Sequence, residues 1–154
     1  MVIEQAALWQ EVVAFATSMW QHIVAFATID NVMPTFKEKT MLKQIDREEL
    51  RRKLAGNARP VLVEALPEKY WRDWRLPGAR HLPHDEVDRL ASRVLPDKDA
   101  EIVVYCASRS CQNSHIAAQR LEQLGYENVA VYPGGKQDWM EAGFPVDRGE
   151  VLAA

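Results

Sequence analysis

Short apolar runs alternate with amphipathic segments along most of this chain. Three runs have the length and β-branched content of strands that are covered on both faces, and they lie at residues 60–66, 102–105 and 128–132. Predicted helical segments lie before, between and after them, at 46–55, 68–74, 85–95, 116–124 and 136–141. Strands that alternate with helices predict an α/β domain around a mainly parallel sheet.

Local signals set the ends of several of these elements. Asp46 and Glu49 have the spacing of a capping box, so a helix is predicted to begin after Asp46 and to end at 55–57. Residues 41–45 fit a short edge strand. Residues 76–83 contain the turn sequence Pro77-Gly78 and are predicted to form a loop.

The first 40 residues have a different pattern, which predicts one long amphipathic helix over residues 4–30 and then a linker. No charged residue occurs from Val12 to Ile29, but Gln21 and His22 in the middle make this a poor membrane span. Two interpretations of the helix are open: it docks on the domain, or it pairs with a second copy to form a homodimer. The predicted organisation is this extension at 1–40 and one domain at 41–154.

A small polar loop that begins with a cysteine follows the run at 102–105. The helix after it has its apolar residues at Ile116, Ala117, Leu121 and Leu124. A strand, loop and helix in this order direct backbone N–H groups and the positive end of the helix dipole at one point. We therefore expect Cys106 to have a depressed pKa and to act as a nucleophile. The alternative is an inert, buried cysteine.

Charge and cysteine content exclude several classes of protein. The net charge of −3 gives no electrostatic footprint for nucleic acid. The two cysteines lie in one loop and cannot form a disulfide framework, so we expect a reducing, cytoplasmic compartment. Spaced Cys/His pairs are missing, so no metal site or cofactor is expected. The start of the chain lacks the basic region of a secretory signal.

Four stretches fall in a recognisable order. They are Leu76-Pro-Gly-Ala79, Val103-Val-Tyr-Cys106, Leu124-Gly-Tyr-Glu-Asn-Val129 and Gly134-Gly-Lys-Gln-Asp-Trp139-Met-Glu-Ala-Gly143-Phe-Pro-Val146. In this order they resemble the rhodanese family over residues 41–147. The resemblance implies a three-layer rhodanese-like domain and a single-domain sulfurtransferase. Such an enzyme takes a sulfane sulfur from a donor such as thiosulfate and passes it to a thiol, to cyanide or to a protein acceptor.

The resemblance also implies roles for the residues of the loop. Cys106 would carry the transferred sulfur as a persulfide. The donor would be bound by the residues that follow, which are Ala107, Ser108, Arg109, Ser110, Cys111 and Gln112. Hydroxyl groups and the arginine suit the sulfonate oxygens of thiosulfate.

Some positions depart from the common pattern of the family. Cys111 stands where that pattern has Arg or Thr, and the loop resembles a variant that reads Cys-Ala-Ser-x-x-Cys-x-x-Ser, which ends here at Ser114. Glu64 replaces the usual Asp and Arg75 the usual His, and these two are candidates for pairing with each other. Cys111 either resolves a persulfide, forms a disulfide with Cys106, or packs as a small apolar residue.

Two other functions compete with sulfur transfer. One is a catalytically silent rhodanese-like module that binds or regulates a partner, with the N-terminal helix as adaptor. The other is a cysteine-dependent phosphatase, which needs an arginine to close the loop around a tetrahedral dianion. Gln112 and Asn113 occupy those places, which argues against a phosphatase.

Overall fold

The computed structural model describes residues 41–149 of the chain. The helix predicted over residues 4–30 lies outside the described residues, together with its membrane, docking and pairing interpretations. None of the helices within residues 41–149 is both long and apolar enough to cross a membrane.

The described part of the chain is built on one sheet of five parallel strands, in the order β1-β5-β4-β2-β3. The strands are β1 (Lys43–Gln44), β2 (Val61–Glu64), β3 (Arg80–His81), β4 (Ile102–Tyr105) and β5 (Val129–Tyr132). The predicted strands at 60–66, 102–105 and 128–132, and the edge strand within 41–45, are confirmed. Every residue of β4 and β5 is buried, as expected for strands with helices on both faces.

Within residues 41–149, five helices cover the sheet. They are α1 (Arg47–Ala55), α2 (Glu68–Asp73), α3 (Val87–Val94), α4 (Asn113–Gln123) and α5 (Gly135–Glu141). Alternate strand residues point to opposite faces, which separates the core into two clusters. One cluster packs Val104 and its neighbours against α3 and α4. The other packs Val103 and Tyr105 with residues of α1 and α5, which gives the predicted three layers.

The start of α1 is capped as the sequence predicts. A side-chain oxygen of Asp46 accepts a hydrogen bond of 2.7 Å from the backbone N–H of Glu49. This bond satisfies one of the N–H groups that the first turn of a helix leaves without a partner, and the helix ends at Ala55 as expected.

Two predictions about local structure were wrong. The segment 76–83 is not entirely a loop, because Arg80 pairs with Val63 of the neighbouring strand and forms β3. A strand of two residues is too short to give a pattern in sequence. The helix after the cysteine loop begins earlier than predicted, at Asn113, and its buried face includes Ser114 and Ala118, whereas Ile116 is 48% exposed.

Candidate active site

The cysteine loop lies at the carboxyl edge of the sheet. Cys106 directly follows β4, which is the central strand, and the loop ends where α4 begins at Asn113. In parallel sheets this edge is where ligands bind, because loops and helix N-termini converge there. The fold therefore places the predicted nucleophile at the expected position.

The thiol of Cys106 is covered by its own loop. The residue has 0% exposure, and its Sγ lies 3.2 Å from the carbonyl oxygen of Cys111 and 3.8 Å from that of Ser108. The Oγ of Ser114, in the first turn of α4, lies 3.3 Å from the same sulfur. A thiol that faces two carbonyl oxygens acts as a hydrogen-bond donor, so this closed loop favours the protonated form.

The expected depression of the thiol pKa is therefore wrong for this conformation. Burial is the largest influence and raises the pKa of Cys106, and interactions with the side chain of Cys111 raise it further. Hydrogen bonds from the hydroxyl and backbone N–H of Ser114 lower the pKa, but they do not outweigh burial.

The other loop residues lie around this closed centre. Ala107, Ser108 and Cys111 are partly buried, while Arg109, Ser110 and Gln112 are exposed. The hydroxyl groups of Ser108 and Ser110 lie 3.0 Å apart. Arg109 is close enough to Tyr132 to lower the pKa of that hydroxyl, although burial and Asp138 raise it more. Donor binding by these residues stays a prediction.

The N-terminus of α5 holds the beginning of the loop. The carbonyl oxygen of Cys106 accepts a hydrogen bond of 2.9 Å from the N–H of Lys136, and that of Ala107 accepts one of 2.9 Å from Gln137. Gly135 makes this approach possible: its φ is +63°, and a Cβ there would overlap the carbonyl oxygen of Cys106. Gly135 thus allows the backbone of α5 to contact the backbone of the cysteine directly.

A buried polar network lies beside the cysteine. One carboxylate oxygen of Glu64 is 3.0 Å from the Nζ of Lys136, and the other accepts a hydrogen bond of 2.8 Å from the hydroxyl of Tyr105. Burial raises the pKa of Glu64, although Lys136 and Tyr105 lower it in part. Glu64 and Arg75 are neighbours as expected, since the charge of Arg75 also lowers the pKa of Glu64. The expected direct pair does not form, because the ion-pair partner of Glu64 is Lys136 and the guanidinium of Arg75 lies over the ring of Trp71.

Three residues of the site were not predicted to act there. In the sequence, Ser114 is only the last residue of the loop pattern. Its position eight residues after Cys106 is the signal that could have placed it in the first turn of the helix, next to the sulfur. Tyr105 and Lys136 gave no such signal, because contacts between residues distant in sequence define their roles.

A cavity of about 610 Å³ lies at the other edge of the sheet, near the amino end of β2. Arg51, Arg59 and Trp139 are among its lining residues, and neither cysteine borders it. The cavity is therefore separate from the site around Cys106.

Comparison with known proteins agrees with this architecture. The family model described as the rhodanese-like domain matches residues 46–142. A sulfurtransferase of Allochromatium vinosum is 31% identical over 106 residues, which are 69% of this chain and 95% of that protein. The HTH-type transcriptional regulator Rv0324 of Mycobacterium tuberculosis is 35% identical over 103 residues, which are 66% of this chain but 43% of the regulator.

Solved structures give the same result. The solution structure of the rhodanese-like domain from the Anabaena protein Alr3790 is 27% identical, with a TM-score of 0.61. The similarity covers 74% of this chain and 87% of that domain. The family model spans most of the described residues, and the Allochromatium relative is matched over nearly its whole length. This chain therefore belongs to the family of proteins with a rhodanese-like domain.

Proposed function

We propose that this protein is a sulfurtransferase that carries sulfane sulfur as a persulfide on Cys106. The thiolate attacks the sulfane sulfur of a donor such as thiosulfate, the S–S bond of the donor breaks, and sulfite leaves. A small thiol, cyanide or a protein cysteine then takes the outer sulfur and returns Cys106 to its thiolate form.

The observation that supports this proposal most is the position of Cys106. It follows the central strand, its sulfur lies 3.3 Å from the hydroxyl oxygen of Ser114 at the start of α4, and the hydroxyl and backbone N–H of Ser114 lower its pKa. Such donors at a helix N-terminus stabilise an anionic sulfur. The similarity to the Allochromatium sulfurtransferase favours the same chemistry.

Attack on a donor requires the loop to open. In the closed loop the thiol is buried and donates to the carbonyl of Cys111. The residues that cover it at 108–112 are partly or fully exposed and belong to no helix or strand, so they can move without disturbing the sheet. Loop opening removes the carbonyl contacts and exposes the sulfur to a donor.

The test is to treat the purified protein with thiosulfate, remove the excess, and measure cyanolysable sulfur, released sulfide and intact mass. The proposal expects the wild-type protein to take one sulfur from the donor, which is either kept as an added mass or released as sulfide, and it expects neither result with Cys106→Ser. Circular dichroism of both proteins controls for folding. A folded wild-type protein that neither gains a sulfur nor releases sulfide would contradict the proposal.

The second candidate is a regulatory rhodanese-like module without catalysis. The complete burial of Cys106 and its raised pKa favour this function, because both reduce the reactivity of the thiol. The similarity to a transcriptional regulator also favours it, although this chain spans less than half of that protein. In the same experiment a module of this kind would stay unmodified and folded.

A further inference from the structure

We infer that Cys111 resolves the persulfide of Cys106 and releases its outer sulfur as sulfide. This inference rests on the proposed sulfurtransferase function and adds a second, reductive activity in the same loop. It assigns a role to the cysteine that stands where the common family pattern has Arg or Thr.

The turn within the loop brings the two cysteines together. The N–H of Cys111 donates to the carbonyl of Ser108 at 3.0 Å, which folds the chain back towards its starting point. As a result, the Sγ of Cys106 lies 3.2 Å from the carbonyl oxygen of Cys111. The side chain of Cys111 is also near enough to contribute to the raised pKa of Cys106.

Burial gives the two sulfurs different roles. Cys106 is fully buried under the loop, whereas Cys111 is partly exposed. The closed loop therefore keeps external thiols away from Cys106, whereas Cys111 belongs to the same loop and its backbone contacts the sulfur of Cys106. This conformation suits an intramolecular step, since a nucleophile held in the same loop has a high effective concentration.

The atoms and electrons of the step balance. The thiolate of Cys111 attacks the Sγ of the Cys106 persulfide, a Cys106–Cys111 disulfide forms, and the bond to the outer sulfur breaks. The outer sulfur leaves as hydrosulfide and is reduced, the sulfur of Cys111 is oxidised to the same extent, and the sulfur of Cys106 keeps its oxidation state. A dithiol reductant then reduces the disulfide, and the net reaction converts thiosulfate and a dithiol to sulfite, sulfide and a disulfide.

The test uses the full chain, thiosulfate and no external thiol. The wild-type protein is expected to release about one sulfide for each chain and to end as a disulfide. Trypsin cleaves after Arg109, between the two cysteines, so the disulfide appears as two peptides that remain joined until they are reduced. Cys111→Ser is expected to keep the added sulfur on Cys106 and to release sulfide roughly tenfold more slowly or less.

Controls separate this inference from the function on which it rests. Ser92→Ala removes an exposed hydroxyl on α3 and is expected to release sulfide like the wild type. Cys111→Ala replaces the serine variant if that protein does not fold. Equal sulfide release from wild type and Cys111→Ser would overturn the inference, as would a wild-type persulfide that moves to Cys111 without release of sulfide. If neither protein gains sulfur, the sulfurtransferase function itself fails.

Discussion

Lys136 forms an ion pair of 3.0 Å with Glu64 while its own backbone N–H holds the carbonyl oxygen of Cys106 at 2.9 Å. The side chains of the pair are 7% and 0% exposed. The Nζ also donates to the carbonyl of Tyr70 at 2.7 Å. One residue thus connects α2, β2 and α5 to the main chain of the candidate nucleophile.

We predict that Lys136→Met lowers the free energy of unfolding by about 3–5 kcal/mol at neutral pH, because it leaves the buried carboxylate of Glu64 without its cation. This loss of stability should be smaller at acidic pH. Burial already raises the pKa of Glu64 above its ordinary value of 4.5, and without Lys136 the pKa rises further. A carboxyl of this kind stabilises the fold below its unfolded pKa and loses that contribution as the pH rises through its folded pKa.

Urea unfolding at several pH values measures this effect, and Lys53→Met is the matched control. Lys53 pairs with Glu101 at 2.7 Å, but these side chains are 24% and 34% exposed. Lys53→Met should therefore lower the free energy of unfolding by about 1 kcal/mol or less. The double variant Glu64→Gln/Lys136→Met should be more stable than Lys136→Met, since it removes the unpaired charge. If Lys136→Met and Lys53→Met lower the free energy of unfolding equally, the predicted role of Lys136 is refuted.

We predict that Gly135→Ala destabilises the protein and slows sulfur transfer. The positive φ alone costs about 1–2 kcal/mol for alanine. The added Cβ also pushes the N-terminus of α5 away from the carbonyl of Cys106. Gly143→Ala is the control, because Gly143 has a φ of +73° and no atom within 4 Å of its added Cβ. Gly135→Ala should lower both the Tm and the amount of sulfur taken from thiosulfate more than Gly143→Ala does. Identical effects of the two substitutions would contradict the steric explanation.

The pH dependence of alkylation should report the environment of Cys106. Only the thiolate reacts, and burial raises the pKa of this thiol, so its alkylation rate should still be increasing above pH 9.0, the ordinary value. Ser114→Ala removes a hydroxyl that lowers the pKa and should move the midpoint higher. Ser110→Ala should leave it unchanged, because that hydroxyl contacts Ser108. Mass spectrometry of tryptic peptides follows Cys106 separately from Cys111; a midpoint below that of free cysteine would contradict this prediction.

Arg109 is exposed in the loop and offers a positive charge for a sulfonate group. We predict that Arg109→Ala lowers kcat/KM for thiosulfate about tenfold, equivalent to about 1.4 kcal/mol, mainly through KM. Arg93→Ala, an exposed arginine in the last turn of α3, is the control and should leave KM unchanged. With a sulfur donor that has no sulfonate group, Arg109→Ala and the wild-type protein should have similar values of kcat/KM. An unchanged KM in Arg109→Ala would show that the arginine does not bind the donor.

The sequence alone determined most of the architecture, because local patterns control it. Alternating apolar runs and helical spacing placed the buried strands and the helices, and Asp46 marked the start of α1. The position of Cys106 at the carboxyl edge follows from the same pattern, since in a parallel sheet every strand ends at that edge. The two-residue strand β3 escaped prediction because pairing with β2 defines it.

The chemistry of the site was decided by tertiary structure. A strand, loop and helix in sequence predicted an acidic thiol, but the loop turns the carbonyls of Ser108 and Cys111 towards the sulfur and buries it. The partner of Glu64 proved to be Lys136, 72 residues away, rather than the nearer Arg75. Hydrogen-bond direction, burial and the pairing of distant charges depend on how the chain packs in three dimensions, and these features set the pKa of a group.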